Sequence, residues 1–200
     1  DALDGKHGET ILRKKTFSKD KKERRAIDFT FSAPKSISIQ ALMVNDENMI
    51  KAHEYAVKIA FDYIESYAAV RTKTQGMTRK DNTNNLVGAI FRHELSREQE
   101  PQLHSHCVVI NTSKHGDSWH ALSNEMMLKQ IKKAGTIYKK AMADYLLESG
   151  YKLRQTKDGY ELDHISNQVI KALSTRSQQI EDRLQADGKN RDSAYGWEKQ

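Results

Sequence analysis

The sequence predicts an α+β domain, with an antiparallel sheet covered by helices. Three observations predict it. Residues 26–33 alternate apolar and polar side chains, and two further runs, 85–93 and 103–111, read as strands. Two long stretches, one from Asp46 and one from Ser123, instead repeat apolar residues at helical spacing. Strands and helices follow no regular βαβ alternation, which argues against a parallel, doubly wound sheet. A chain of 200 residues suffices for one domain with a real core.

The elements follow in order. Residues 1–25 show little apolar periodicity and cluster Lys14, Lys15, Lys19, Lys21, Lys22, Arg24 and Arg25, so they read as an exposed, basic, flexible arm. In 26–33, Ile27, Phe29, Phe31 and Ala33 face one way and Asp28, Thr30 and Ser32 the other. That is a half-buried strand, ended by Pro34. Residues 35–44 begin a helix or form a turn leading into one. Asp46 is a suitable N-cap for a helix striped by Met49, His53, Ala56, Ala60, Ile64 and Tyr67. His53 sits on that stripe and reads as a packed or boundary histidine rather than a ligand.

Residues 70–74 suit a short strand and 76–84 a polar loop. In 85–93, Leu86, Val87, Ala89, Ile90 and Phe91 fit a mostly buried strand. A polar segment, 94–102, can fold back into the strand at 103–111. His115-Gly116-Asp117 marks a turn. Ser123 can cap a long helix to about Glu148, with Met127, Ile131, Ala134, Tyr138, Ala141 and Tyr145 as its apolar stripe and Gly150 at C′. Residues 151–162 read as a hairpin with Lys157-Asp158-Gly159 at its tip. Residues 164–184 form an amphipathic helix in one or two pieces. The domain thus spans 26–184, followed by a tail over 185–200.

Composition narrows the class of function. Hydrophobic residues make up 37% and charged residues 30%, with a net charge of +6 and a pI near 9.2. A basic balance favours an anionic partner, most commonly nucleic acid, although a lysine-rich solvated surface gives the same numbers. Cys107 is the sole cysteine, so no intrachain disulfide is possible, which fits a reducing cytoplasm. No run approaches the ~20 apolar residues of a membrane span, and no signal peptide is visible. Asp1 is not an initiator methionine, so the sequence reads as a piece of a longer protein.

His93, His104 and His106 carry the chemistry. Alternate residues of a strand share a face, so His104 and His106 point the same way. If 85–93 pairs antiparallel with 103–111, His93 lands beside one of them, with opposed Cβ atoms about 5 Å apart. Three neutral imidazoles suit one divalent ion and leave positions open, as catalytic sites do. The alternative is three histidines on a polar sheet face without a metal. A ligating histidine usually gives its second N–H to a carboxylate or carbonyl. Asp28 is the candidate carboxylate, or else an ordinary strand-edge aspartate. His115 and His120 lie beyond the strand and read as surface residues. Imidazole alone does not choose among Zn²⁺, Mn²⁺, Ni²⁺ and Cu²⁺.

Three segments carry a family likeness. Ile27-Asp28-Phe29-Thr30-Phe31-Ser32-Ala33-Pro34-Lys35-Ser36, His93-Glu94-Leu95-Ser96-Arg97 and Pro101-Gln102-Leu103-His104-Ser105-His106 resemble, in order and spacing, the signature of MobF-class conjugative relaxases of the TrwC/TraI type, members of the HUH endonuclease superfamily. Ser174-Thr175-Arg176-Ser177-Gln178-Gln179-Ile180 resembles a further family segment. The resemblance implies a palm-like sheet with the three-histidine metal site on it. It implies site- and strand-specific nicking and strand transfer of plasmid DNA at an origin of transfer, through a 5′-phosphotyrosyl intermediate.

The resemblance also implies a divalent ion (Mg²⁺, Mn²⁺ or Zn²⁺) held by His93, His104 and His106 and polarising the scissile phosphate. Asp28 matches the family acid that orients a ligand histidine. Lys35, Ser36 and Arg97 are the expected DNA contacts. Implied partners are single-stranded and hairpin DNA of the transfer origin, with conjugation accessory and coupling proteins, and a helicase region is implied downstream. The family's nucleophilic tyrosines precede the Asp28 motif, whereas the first tyrosine here is Tyr55. The expectation is metal and DNA binding without covalent cleavage, the nucleophile lying outside the sequence given.

Other readings stay open on the residues alone. A rolling-circle replication initiator fits the histidines, but the Asp28-to-Ser36 motif argues against it. A metal-dependent hydrolase would need a general base, for which Asp28 or Glu94 serves. A non-catalytic single-stranded DNA-binding module needs only the basic surface.

Overall fold

The computed structural model describes residues 6–7, 10–11 and 24–186. Most of the expected N-terminal arm and the tail beyond Ala186 therefore lie outside the described residues. Within the arm, β1 (Lys6–His7) pairs antiparallel with β2 (Thr10–Ile11).

The alternation at 26–33 folds as β3 (Ala26–Ser32), with Ile27, Phe29 and Phe31 buried and Asp28, Thr30 and Ser32 exposed. Helix α1 (Lys35–Met43) starts directly after Pro34, whose φ of −51° suits a helix entry and whose missing N–H costs the helix nothing there. Helix α2 (Glu47–Glu65) is capped by Asp46, which accepts from the Asn48 N–H at 3.1 Å. Such a cap contributes about 1 kcal/mol. Its buried stripe is Met49, Ala52, His53, Ala56, Val57, Ala60 and Ile64.

Two strands follow, β4 (Ala69–Thr74) and β5 (Met77–Asn82), joined at Gln75 and Gly76, both at positive φ. The region expected to be a polar loop is thus largely the second strand of a hairpin. Nothing in β5 alternates apolar with polar, and the two-residue reversal, which places the two strands in register, is what makes it a strand.

Strands β6 (Gly88–Leu95) and β7 (Pro101–Ile110) form the second hairpin, followed by the small pair β8 (Ser113–His115) and β9 (Ser118–His120). The helix expected to run from Ser123 is broken at Gln130 into α3 (Glu125–Lys129) and α4 (Ile131–Glu148). Ile131, assigned to the apolar stripe, lands at the break and is exposed. The anticipated hairpin follows as β10 (Leu153–Thr156) and β11 (Gly159–Leu162), then α5 (Asn167–Ala172) and α6 (Thr175–Ala186).

The central sheet has the order β3-β7-β6, entirely antiparallel. Helices α1, α2 and α4 pack on one face of it, and α2 packs along α4. Leu103, Cys107 and Val109 of β7 join Phe29, Phe31, Ile37, Ala56, Met142 and Leu146 in one core. Each fully buried large aliphatic side chain there contributes roughly 1.5–3 kcal/mol. The other face is uncovered and carries the histidines together with Asp28, Thr30 and Phe91. β6 departs from expectation: Phe91 is 52% exposed because it shares the uncovered face with His93, and Ile90, on the helix side, is 50% exposed because the helices lie over β3 and β7. Among the described residues no helix is long and apolar enough to cross a membrane.

Candidate metal centre

Register builds the site. His93 stands directly opposite His104 across β6–β7, and Phe91 opposite His106. On the other side, Thr30 opposes His106 and Ser32 opposes His104. The pleat therefore sends His93, His104 and His106 to the same uncovered face, together with Asp28 and Thr30. The three ring centroids form a near-equilateral triangle, with sides of 5.3, 5.2 and 5.2 Å.

Two of the rings have fixed orientations. Nδ1 of His104 lies 2.7 Å from the Gln102 carbonyl, and Nδ1 of His106 lies 2.6 Å from Oδ2 of Asp28. A carbonyl and a carboxylate only accept, so both Nδ1 atoms carry the hydrogen and both Nε2 lone pairs are left for another partner. The Thr30 hydroxyl, at 3.1 Å from the same His106 nitrogen, adds a second contact. The alternation of β3 puts Thr30 on the Asp28 face, and pairing with β7 brings it to this ring.

The donor set suits a divalent ion that accepts imidazole. Three imidazoles arranged tetrahedrally at about 2.0–2.1 Å from an ion have ring centres about 5 Å apart, matching the triangle. Among the described residues, however, no three His, Cys, Asp or Glu side chains are gathered into a formed ligand set. The ring centres are spaced for an ion.

The expected DNA contacts divide. Ser36 is fully buried: its N–H donates to Glu161 at 2.8 Å, and its hydroxyl accepts from the Leu162 N–H at 2.7 Å. It fastens α1 to β11, with its N–H and hydroxyl both paired inside the protein. Lys35 is mostly covered. Its ammonium donates to the Pro101 carbonyl at 3.0 Å and stands 4.0 Å from Glu100. Burial pushes its pKa down, while Glu100 and Glu161 pull it back up. Arg97 is exposed in the tight 96–100 loop, which Ser96 closes by accepting from the N–H groups of Glu98 and Glu100. Glu100 also accepts from the Thr175 N–H at 2.7 Å, bringing the start of α6 against that loop.

The β4–β5 ribbon is a basic surface that the sequence did not single out. Arg71 and Lys80 lie opposite each other and both reach Glu125. Arg79, opposite Thr72, and Lys73, opposite Thr78, are exposed in the next two rows, on opposite faces of the ribbon. Glu125 is pulled down to about 2, first by the Ser123 hydroxyl and, against some desolvation, by Arg71 and Lys80. His115 and His120 sit together on the β8–β9 hairpin, away from the other three, with ring centroids 6.1 Å apart.

Comparison with known proteins places this arrangement. A family model described as TrwC relaxase matches residues 1–200. The multifunctional conjugation protein TraI of Escherichia coli is 34% identical over 183 residues, covering 86% of this chain and 10% of that protein. TraI of Escherichia coli strain K12 is 35% identical over 185 residues, with the same coverage. The chain spans about a tenth of the length of these relatives. Among solved structures, the conjugative relaxase TrwC in complex with OriT DNA, in a metal-bound form, aligns with a TM-score of 0.90 at 42% identity, over 96% of this chain and 67% of that one. TrwC complexed with a 27-mer DNA comprising the recognition hairpin and the cleavage site aligns equally well, over 96% and 69%.

Proposed function

The chain belongs to the TrwC relaxase family, and from that premise we propose that it is the core of a relaxase that nicks one strand of plasmid DNA at an origin of transfer and passes that strand on during conjugation. The observation that carries this reading is the Asp28–His106 contact beside the His93 and His104 rings, on a sheet face left open to solvent.

In this reading His93, His104 and His106 hold a divalent ion, Mg²⁺, Mn²⁺ or Zn²⁺. When bound, it supplies Lewis-acid polarisation of the scissile phosphate. Asp28 accepts a hydrogen bond from the His106 Nδ1–H and keeps Nε2 free for the ion, the role of a carboxylate behind a ligand histidine. The Gln102 carbonyl does the same for His104. Arg97 at the loop tip meets the phosphates of the single strand. Lys35 serves at one remove, by pinning the start of β7 against α1.

The β4–β5 ribbon suits duplex DNA, because a two-stranded ribbon fits a major groove and Lys73 and Arg79 supply charge there. This would engage the hairpin that flanks the nick. The attacking tyrosine is assigned to no described residue. Tyr63 hydrogen-bonds Tyr67 and Gln130 on the helical side, and Tyr55 packs against Tyr145. The protein acts in the cytoplasm, with accessory and coupling proteins of conjugation as further partners.

The test is an oligonucleotide carrying the cognate nick site, with Mn²⁺ or Mg²⁺, incubated with this chain and with a version carrying the family's N-terminal tyrosine segment. The expected outcome is binding by both and a DNA–protein adduct only with the second. Metal-dependent hydrolysis without an adduct would sink the relaxase reading.

A further inference from the structure

The face of β7 opposite the histidines holds a polar chain that the proposed chemistry does not use. Ser105 lies between His104 and His106 in sequence and points the other way, into the core, where it is 2% exposed. Its hydroxyl is 2.7 Å from Nε2 of His53 on α2, which is completely buried. Nδ1 of His53 is in turn 2.7 Å from the hydroxyl of Tyr138 on α4. The Tyr138 ring is held edge-on to His53, with centroids 5.7 Å apart, and packs against Phe31 of β3. Arg92, directly opposite Ser105 on β6, reaches back to Glu54, the neighbour of His53 on α2.

A polar residue on a core face costs free energy unless it is hydrogen-bonded. Here the inner face of β7 is otherwise Leu103, Cys107 and Val109. Apolar packing resists compression but fixes no direction. A short hydrogen bond to the one residue between the two ligand positions fixes how that residue sits on the pleat. We propose that His53 is a positioning residue: anchored on Tyr138, it holds Ser105 and thereby sets the pleat of β7 that projects His104 and His106 together. This rests on the reading of those histidines as metal ligands.

Proton bookkeeping is consistent with that role. Burial, with smaller effects of Arg92 and His104, pushes His53 down to about 4, so at neutral pH the ring has one hydrogen to donate and one lone pair. Each ring nitrogen has one hydroxyl partner, so the ring donates one of the two bonds and accepts the other.

The probe is Co²⁺, titrated into this chain and followed by its visible absorption, with the thermal midpoint measured in parallel. His53→Leu is expected to weaken Co²⁺ binding roughly tenfold, as loss of outer-shell support does. His53→Gln, whose amide reaches the Nε2 position, is expected to restore most of that loss. Ser105→Ala removes the same contact with little risk to folding. It should match His53→Leu, and the double variant should be no worse than either. Ile64→Val, a core change on α2 about three turns from His53, should lower the midpoint without altering Co²⁺ affinity or the absorption band. If Ser105→Ala or a folded His53→Leu keeps wild-type affinity and spectrum, His53 is a packing residue and the inference is overturned. Failure of the unmodified chain to bind Co²⁺ would instead overturn the metal reading, and the inference with it.

Discussion

Oδ2 of Asp28 lies 2.6 Å from Nδ1 of His106, on the neighbouring strand and 78 residues away in sequence. The contact is diagonal: Asp28 pairs in register with Val108, while the residue facing His106 is Thr30. Asp28→Asn keeps the size of the side chain and removes the charge. Calorimetric titration with Mn²⁺ should show affinity falling roughly 10- to 100-fold. An unchanged affinity would mean that the carboxylate does not orient the ring.

The ribbon makes an electrostatic prediction. Lys73→Ala and Arg79→Ala should each weaken binding of the hairpin oligonucleotide. If both residues meet phosphates, each change lowers the slope of log K against log salt by about 1 and acts alike on all sequences. Fluorescence anisotropy at several salt concentrations reads both. A change confined to certain base sequences would instead assign the residue to a base edge.

Glu125 gives a pH dependence with a definite sign. Its folded carboxyl is held at about 2, below the ordinary 4.5. A depressed acid contributes stability above its ordinary value and loses it as pH falls through the folded one. The side chain is 43% exposed, so solvent screening limits the contribution to about 1 kcal/mol or less. Thermal midpoints should therefore drop between pH 4.5 and 2 more steeply for the native chain than for Glu125→Gln. Parallel curves would remove the Arg71–Glu125–Lys80 cluster from the stability of the ribbon.

Gly88 opens β6 where there is no room for a side chain. A Cβ there would stand 2.6 Å from the Val108 carbonyl oxygen and 3.2 Å from the Val109 Cα, both backbone atoms of the paired strand. Gly88→Ala should cost about 1–3 kcal/mol, the range of overpacking, in urea denaturation. No loss would mean that β6 detaches at its start without consequence.

The histidine site was legible in the sequence because its information is local. Period-two spacing aligned His104 with His106, and antiparallel return across a short loop brought His93 opposite. Asp28 was legible as a candidate through the alternation of β3. What escaped depends on neighbours that periodicity does not see. Ile90 and Phe91 have the composition of a buried strand, yet which face the helices cover, and how far they reach, decides burial. Ser36 belongs to a recognisable motif, but contact with Glu161 and Leu162, about 125 residues on, turns it inward. His53 was correctly read as packed, whereas its bond to Tyr138, 85 residues away, could not be read from spacing.

Between His93 and Leu95 the pairing of β6 with β7 shifts register, so that Leu95 faces Pro101 while His93 still faces His104. The irregularity sits on the loop side of the ring cluster. It acts as an expansion joint: residues gained or lost in the 96–100 turn can be taken up there, without passing a one-step slip to the strands behind it. Such a slip would swap the faces, turning His104 and His106 into the core and Ser105 out to solvent. A change in the path of the turn that carries Arg97 is thus kept from the three rings, which hold their common face.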